Sequence, residues 1–177
     1  MSIRGLIFDY GGVLWDMRWD LARAIEREHQ LGERAIPDTM YGSDTWKQLE
    51  VGIGDRAAWL REAHTALESH ARRELPPLHE EWRAGQRWIV PNVDLIRRLR
   101  PPYKTAVLSN ADHTLAARFR SAPGMWELFD AFVCSADVAM AKPDPRIYAL
   151  AAERLRLAPE ECVFIDDLDR NVDAARA

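Results

Sequence analysis

The 177-residue chain is poor in cysteine, poor in lysine and without a long apolar run, and each scarcity narrows what it can be. Its two cysteines, Cys134 and Cys162, sit in separate apolar runs with no second ligand-type side chain beside either. They read as small buried hydrophobes rather than as a disulfide framework or a metal site. No segment approaches the roughly 20 apolar residues a membrane helix needs, and the apolar start at Leu6–Phe8 is cut at once by Asp9. A cytoplasmic protein with no membrane partner is the expectation. The formal net charge of −4, without clustered Lys and Arg, offers nothing to displace counterions from nucleic acid, so no nucleic-acid partner is expected. What remains is 47% hydrophobic and 29% charged, a balance that supports a packed core and is far from that of disordered or fibrous chains. The length suits one domain, or one domain carrying a small insertion. Nothing in the sequence fixes an oligomeric state.

Four short apolar runs read as buried strands: Ile3–Phe8, Thr105–Leu108, Ala131–Cys134 and Cys162–Ile165. Helical spacing of apolar residues occupies Asn92–Leu99, Thr114–Arg120 and Pro145–Leu155, so the second half alternates strand and helix. That alternation predicts an α/β fold, a Rossmann-like parallel sheet with helices on both faces. From Leu14 to about Gly85 apolar residues recur every three or four positions with no strand pattern, as at Leu21 and Ile25 or at Ala58, Leu60, Ala63 and Leu67. This stretch reads as a helical cap, giving a core of residues 1–14 and 86–177 and a cap of 15–85. Its tryptophans, Trp15, Trp19, Trp46, Trp59 and Trp82, either line a pocket or fill the space between helices, and burial habits favour the second.

In an open parallel sheet ligands bind beyond the carboxyl ends of the strands. Here those ends carry unusual residues. Asp9 closes the first strand and is followed by Gly11 and Gly12, which let backbone approach a ligand; a capped turn is the plain alternative. Asp166 and Asp167 close the last strand. Adjacent carboxylates repel unless a cation lies beside them, so hard oxygen ligands here point to Mg²⁺, although helix capping accounts for one of the pair. Ser109 and Asn110 offer a hydroxyl and a backbone N–H suited to a phosphate oxygen, or an ordinary N-cap. Lys142 is one of only three lysines against twenty-one arginines, and it precedes Pro143-Asp144-Pro145 at a helix entry. A compact ammonium there neutralises an aspartate and a phosphate together.

Phe-Asp-Tyr-Gly-Gly-Val-Leu, Leu-Ser-Asn, Ala-Lys-Pro-Asp-Pro-Arg-Ile-Tyr and Phe-Ile-Asp-Asp resemble, in order and spacing, the four motifs of the haloacid dehalogenase (HAD) superfamily, and the helical insert resembles its small type C1 cap. The resemblance implies a Mg²⁺-dependent phosphatase acting on a small phosphorylated metabolite. It makes Asp9 the nucleophile and Lys142 the charge-steadying catalytic partner. Ser109 and the Asn110 N–H would hold phosphate, and Asp9, the Gly11 carbonyl, Asp166 and Asp167 would hold the metal.

Two departures stand out. Phosphatases of the superfamily usually place a second aspartate two residues after the nucleophile as general acid and base, and here that position is Gly11. Losing such help typically costs ~10²–10⁴-fold. Either activity is restricted to good leaving groups, or another residue moves the proton, with Asp16 and Asp112 as candidates that also read as caps, or the protein is a silent binding domain. An Asp-x-Gly-Gly start resembles that of sugar-phosphate phosphatases and of amino-terminal domains in epoxide hydrolase-like proteins. His113, beside the second motif, is the only histidine placed to meet a substrate. The second departure is the end at Ala177, where the superfamily normally continues into another strand, so an exposed sheet edge is expected. A metal-independent dehalogenase is the alternative enzyme, weakened by the paired acids Asp166 and Asp167.

Overall fold

The structure, a computed structural model, describes residues 2–177. In chain order the elements are β1 (Gly5–Phe8), β2 (Trp15–Asp16), α1 (Trp19–Glu28), α2 (Ala35–Tyr41), α3 (Asp44–Leu49), α4 (Arg56–Ala71), α5 (Leu78–Ala84) and β3 (Arg87–Trp88). There follow α6 (Val90–Leu99), β4 (Lys104–Ser109), α7 (Leu115–Ser121), β5 (Ala131–Cys134), α8 (Ser135–Val138), α9 (Pro145–Leu155), β6 (Cys162–Ile165) and α10 (Asp169–Arg176).

The chain forms two compact units. The first holds the segments up to Asp16, Glu50–Gly52 and Trp88–Ala177; the second holds Met17–Leu49 and Ile53–Arg87. The first is built on a four-stranded sheet of order β5-β4-β1-β6, with every pairing parallel. Strand residues alternate between two apolar layers, because successive side chains leave opposite faces of a strand. Phe8 and Val107 pack with Ile96, Leu115 and Phe119, whereas Ile7, Ala106, Leu108 and Val133 pack with Ile147, Ala151 and Leu155. Both faces are thus covered by helices, the α/β architecture that the alternating pattern predicts.

Local chemistry explains the helix entries. Asp144 accepts a hydrogen bond from the Arg146 N–H at 3.0 Å and Pro145 occupies the first turn, so α9 starts where the sequence places it. Strand β1 begins at Gly5 rather than at Ile3, which is exposed. The two-residue strands β2 and β3 were not legible in the sequence, being too short to show any alternation. Strand β6 lies at the sheet edge, and Val163 on it is exposed. Cys134 is buried, but Cys162 is only partly so.

In the second unit, Trp59 and Trp82 are fully buried and their indole N–H groups donate to the carbonyls of Met40 and Met17, at 2.6 and 2.7 Å. Trp19 stacks on Trp82, and Trp46 packs against Trp59 and Tyr41. Trp59 and Trp82 thus lie in the unit's core, and Trp19 and Trp46 are packed against it, partly buried. Buried Glu26 accepts from the Ile36 and Arg34 N–H groups at 2.9 and 3.3 Å, tying α1 to the start of α2.

Candidate active site

Register builds the site. Phe8 lies opposite both Val107 and Ile165, so the next residue, Asp9, emerges between the end of β4 and Asp166, and its N–H donates to the Ile165 carbonyl at 2.9 Å. Beyond Asp9 the chain turns tightly. The Leu14 and Trp15 N–H groups both return to the Tyr10 carbonyl, and Gly11 bridges to Trp15. Gly12 takes the left-handed conformation, φ +76°, and a Cβ there would stand 2.3 Å from Asp167 Oδ2. Only glycine lets this loop and that carboxylate share the space.

Lys142 reaches into the same rim. Its ammonium lies 2.9 Å from Asp9 Oδ1 and 2.5 Å from Asp166 Oδ2, and the side chains of Lys142 and Asp166 are at most 1% exposed. The Phe164 ring lies under the ammonium, 5.3 Å from its centroid. Asp167 is exposed but joins the group: ligand oxygens of Asp9, Asp166 and Asp167 all lie within 4.8 Å of one another. Three carboxylates against one ammonium leave an excess of negative charge. Burial raises the Asp9 carboxyl pKa above its ordinary range, opposed by Lys142 and reinforced by Asp166. Asp167 is raised as well, by burial first and then by Asp166.

These residues fit a hard divalent cation. The oxygens lie within 4.8 Å of one another, against the roughly 4.2 Å that separates ligands on opposite sides of Mg²⁺, so a side-chain adjustment of a few tenths of an ångström lets them share one ion. The approach of Lys142 to Asp9 Oδ1 is poorly aligned for a hydrogen bond, so this buried oxygen keeps lone-pair capacity.

Ser109 is buried at the end of β4, beside Cys134 in the pairing register. The Asn110 side chain does something the sequence did not disclose. Its Oδ1 accepts from the Lys142 N–H at 2.7 Å and its Nδ2 donates to the Lys142 carbonyl at 2.9 Å, a two-point clip that fixes where the lysine starts. Its backbone N–H is not used in that clip. Asn171, on the first turns of α10, is a second support that the sequence reading missed. It is 2% exposed, and its Nδ2 lies 3.0 Å from both oxygens of Asp166. The Leu168 N–H adds a third donor to that carboxylate at 2.8 Å. An Asn five residues beyond Asp166 was the available signal, since α10 brings it back over the strand end. Tyr148 on α9 was also missed. Its hydroxyl is buried without a hydrogen-bond partner, and burial together with the charges of Asp166 and Asp9 pushes its pKa up to about 12. Asp112 is held in the turn before α7 rather than capping the helix, whose N-cap is Thr114: its Oδ1 accepts from the Thr114 N–H at 2.8 Å and from the Thr114 hydroxyl.

A parallel sheet whose rim collects an aspartate, a lysine and paired acids defines a hydrolase core. The chain belongs to the haloacid dehalogenase-like hydrolase family, whose model matches residues 3–177. It is 28% identical to the fructose-1-phosphate phosphatase YqaB of Escherichia coli K12 over 185 residues, covering 98% of this chain and 91% of that one. Two solved structures share the fold. The wild-type HAD family enzyme bt-2542 of Bacteroides thetaiotaomicron, in complex with magnesium and inorganic phosphate, superposes with a TM-score of 0.68 at 23% identity, covering 99% of this chain and 90% of that one. L-2-haloacid dehalogenase of Xanthobacter autotrophicus gives 0.69 at 22% identity, with 99% and 74% covered.

Proposed function

We propose that this hydrolase is a Mg²⁺-dependent phosphatase that transfers the phosphoryl group of a small metabolite to Asp9 and then to water. The observation that carries this reading is the single buried ammonium of Lys142 held between Asp9 and Asp166. A carboxylate attacks phosphorus only when positive charge screens the repulsion between two anions. Asp9, Asp166, Asp167 and the Gly11 carbonyl would hold the metal, which supplies that screening and a fixed orientation for the phosphoryl oxygens when bound.

The chain's own residues do the rest. Asp9 presents one carboxylate oxygen to phosphorus while Lys142 neutralises charge that accumulates on the phosphoryl group. The Ser109 hydroxyl and the Asn110 N–H bind the remaining oxygens, and the Asn110 clip keeps Lys142 in register with them. The P–O bond to the leaving group breaks as the Asp9–phosphorus bond forms; water then releases orthophosphate and restores Asp9. A sugar phosphate is the substrate class to which the name of YqaB points.

Phosphate release from a panel of phosphorylated metabolites, with Mg²⁺ and with EDTA, tests the reading against the Asp9→Asn variant. Release that requires both Mg²⁺ and Asp9 is expected. Halide release from a haloacid that survives EDTA would instead make this a dehalogenase, and inactivity across the panel would make it a silent binding domain.

A further inference from the structure

Gly11 leaves the proposed reaction without the carboxyl that would move the proton, and another titratable pair follows the carboxyl ends of β4 and β5. His113 lies four residues past Ser109, and Asp137 lies five residues before Lys142. The two meet, with His113 Nδ1 2.7 Å from Asp137 Oδ1. His113 stands on the loop that follows Ser109 at the end of β4, and Asp137 stands in α8, which follows the end of the neighbouring strand β5. The loop is fastened to the end of β5 and the start of α8: the Ala111 N–H donates to Ser135 Oγ at 2.9 Å, and Cys134 Sγ lies 3.3 Å from the carbonyls of Ala111 and Asp112. Gly52, at φ +83°, passes over the pair, since a Cβ there would meet the Ala136 carbonyl at 2.4 Å and His113 Cε1 at 3.4 Å. One edge of the imidazole is held by a carboxylate, and Cε1 faces Gly52 with room for little more than the side chain that glycine lacks. The ring nonetheless stays open, with 58% of the side chain exposed. Asp112, the nearer carboxylate in sequence, is committed to the Thr114 turn.

We propose that the His113–Asp137 pair is the proton-transfer group of this enzyme, replacing the missing acid at Gly11; this rests on the phosphatase reading above. Asp137 accepts the Nδ1 proton, which leaves Nε2 to work on the substrate, the arrangement by which a carboxylate orients a catalytic imidazole. In the first step Asp9 bonds to phosphorus, the bond from phosphorus to the leaving-group oxygen breaks, and that oxygen takes the Nε2 proton of the imidazolium. In the second step neutral Nε2 takes a proton from water as its oxygen bonds to phosphorus and the bond to Asp9 breaks. Alcohol and orthophosphate leave, and the imidazolium is restored.

The test compares leaving groups. For the parent, His113→Gln and Asp137→Asn, kcat/KM is measured with Mg²⁺ on 4-nitrophenyl phosphate, whose leaving group needs no proton, and on a panel of sugar and polyol phosphates including fructose 1-phosphate. His113→Gln is expected to lose ~10²–10⁴-fold on the alkyl phosphates, the usual worth of general acid–base help, while 4-nitrophenyl phosphate changes less than about tenfold. Asp137→Asn shifts in the same direction by less, and added imidazole restores alkyl phosphate turnover to His113→Ala. Equal losses on both substrate classes, or none on the alkyl phosphates, overturn the proposal. A parent that hydrolyses only the aryl ester also overturns it and leaves the phosphatase reading standing; a parent inactive on every phosphate ends both.

Discussion

Replacing Lys142 by methionine probes how far the site rests on one cation. The side chain is 1% exposed, and its ammonium sits 2.9 and 2.5 Å from two carboxylates that are themselves nearly buried. At an effective dielectric of about 20 each of those contacts is worth about 6 kcal/mol of Coulomb attraction, most of it offset by the cost of removing three charges from water. Methionine keeps the volume of the stem but strands Asp9 and Asp166 together, and uncompensated buried charge of this kind typically costs about 3–5 kcal/mol. For a chain of this length that corresponds to a fall in Tm of about 6–20 °C. Guanidinium denaturation in EDTA at pH 8 measures the loss. The deficit shrinks as pH falls, because Asp9 already has a raised pKa and a stranded carboxyl rises further. Such a group binds more protons folded than unfolded, so the stability it lends at low pH is lost as pH climbs through its raised pKa. Mg²⁺ at one hundred times its Kd returns about 2.7 kcal/mol. A loss below about 1 kcal/mol in EDTA, or one indifferent to pH, would refute the picture of a cation neutralising two buried acids.

Asn171→Leu removes the amide that holds both Asp166 oxygens, and a ~10–100-fold weaker Mg²⁺ affinity by calorimetry is expected, in line with other residues that orient metal ligands. Unchanged affinity would mean Asp166 is fixed without it. Gly12→Ala drives a methyl group onto Asp167 and strains a left-handed backbone, which predicts about 1–3 kcal/mol lower stability with weakened Mg²⁺ binding. In the helical unit, burial holds the His79 pKa down at about 4, with His64 and Arg83 adding to it. A histidine kept neutral when folded binds fewer protons than it does unfolded, so stability drains as pH falls from 6.5 to 4, by about 3 kcal/mol at the lower end. His79→Leu should flatten that part of the pH–stability curve, and an unchanged slope would place the acid sensitivity elsewhere.

The strand ends were legible because a parallel sheet buried on both faces leaves only its rim for chemistry, and a charged residue ending an apolar run is conspicuous in sequence. Asp9 and Asp166 stand out for that reason, Lys142 because lysine is scarce and this one sits at a helix entry, and the structure brings the three charged groups together. Residues that act through others were hidden. Asn110 reads as a cap or a phosphate donor, whereas its side chain clips the Lys142 backbone across thirty-two residues of sequence. Asn171 looks like an ordinary helix residue until α10 folds it back over Asp166, and the pairing of His113 with Asp137 exists only because β4 and β5 are neighbours. The tryptophans, ambiguous between pocket and core, pack as core where their indole N–H groups find carbonyls. The short pair β2 and β3 left no periodic trace at all.

The most direct measurement of the central claim is chemical trapping of Asp9. The enzyme is mixed with Mg²⁺ and a phosphate ester it hydrolyses, quenched during turnover and reduced with borohydride, which converts an aspartyl phosphate to homoserine, and the peptide containing residue 9 is then sequenced by mass spectrometry. Homoserine at position 9, requiring both Mg²⁺ and substrate, is the predicted result. Steady phosphate release with Asp9 unmodified would contradict it.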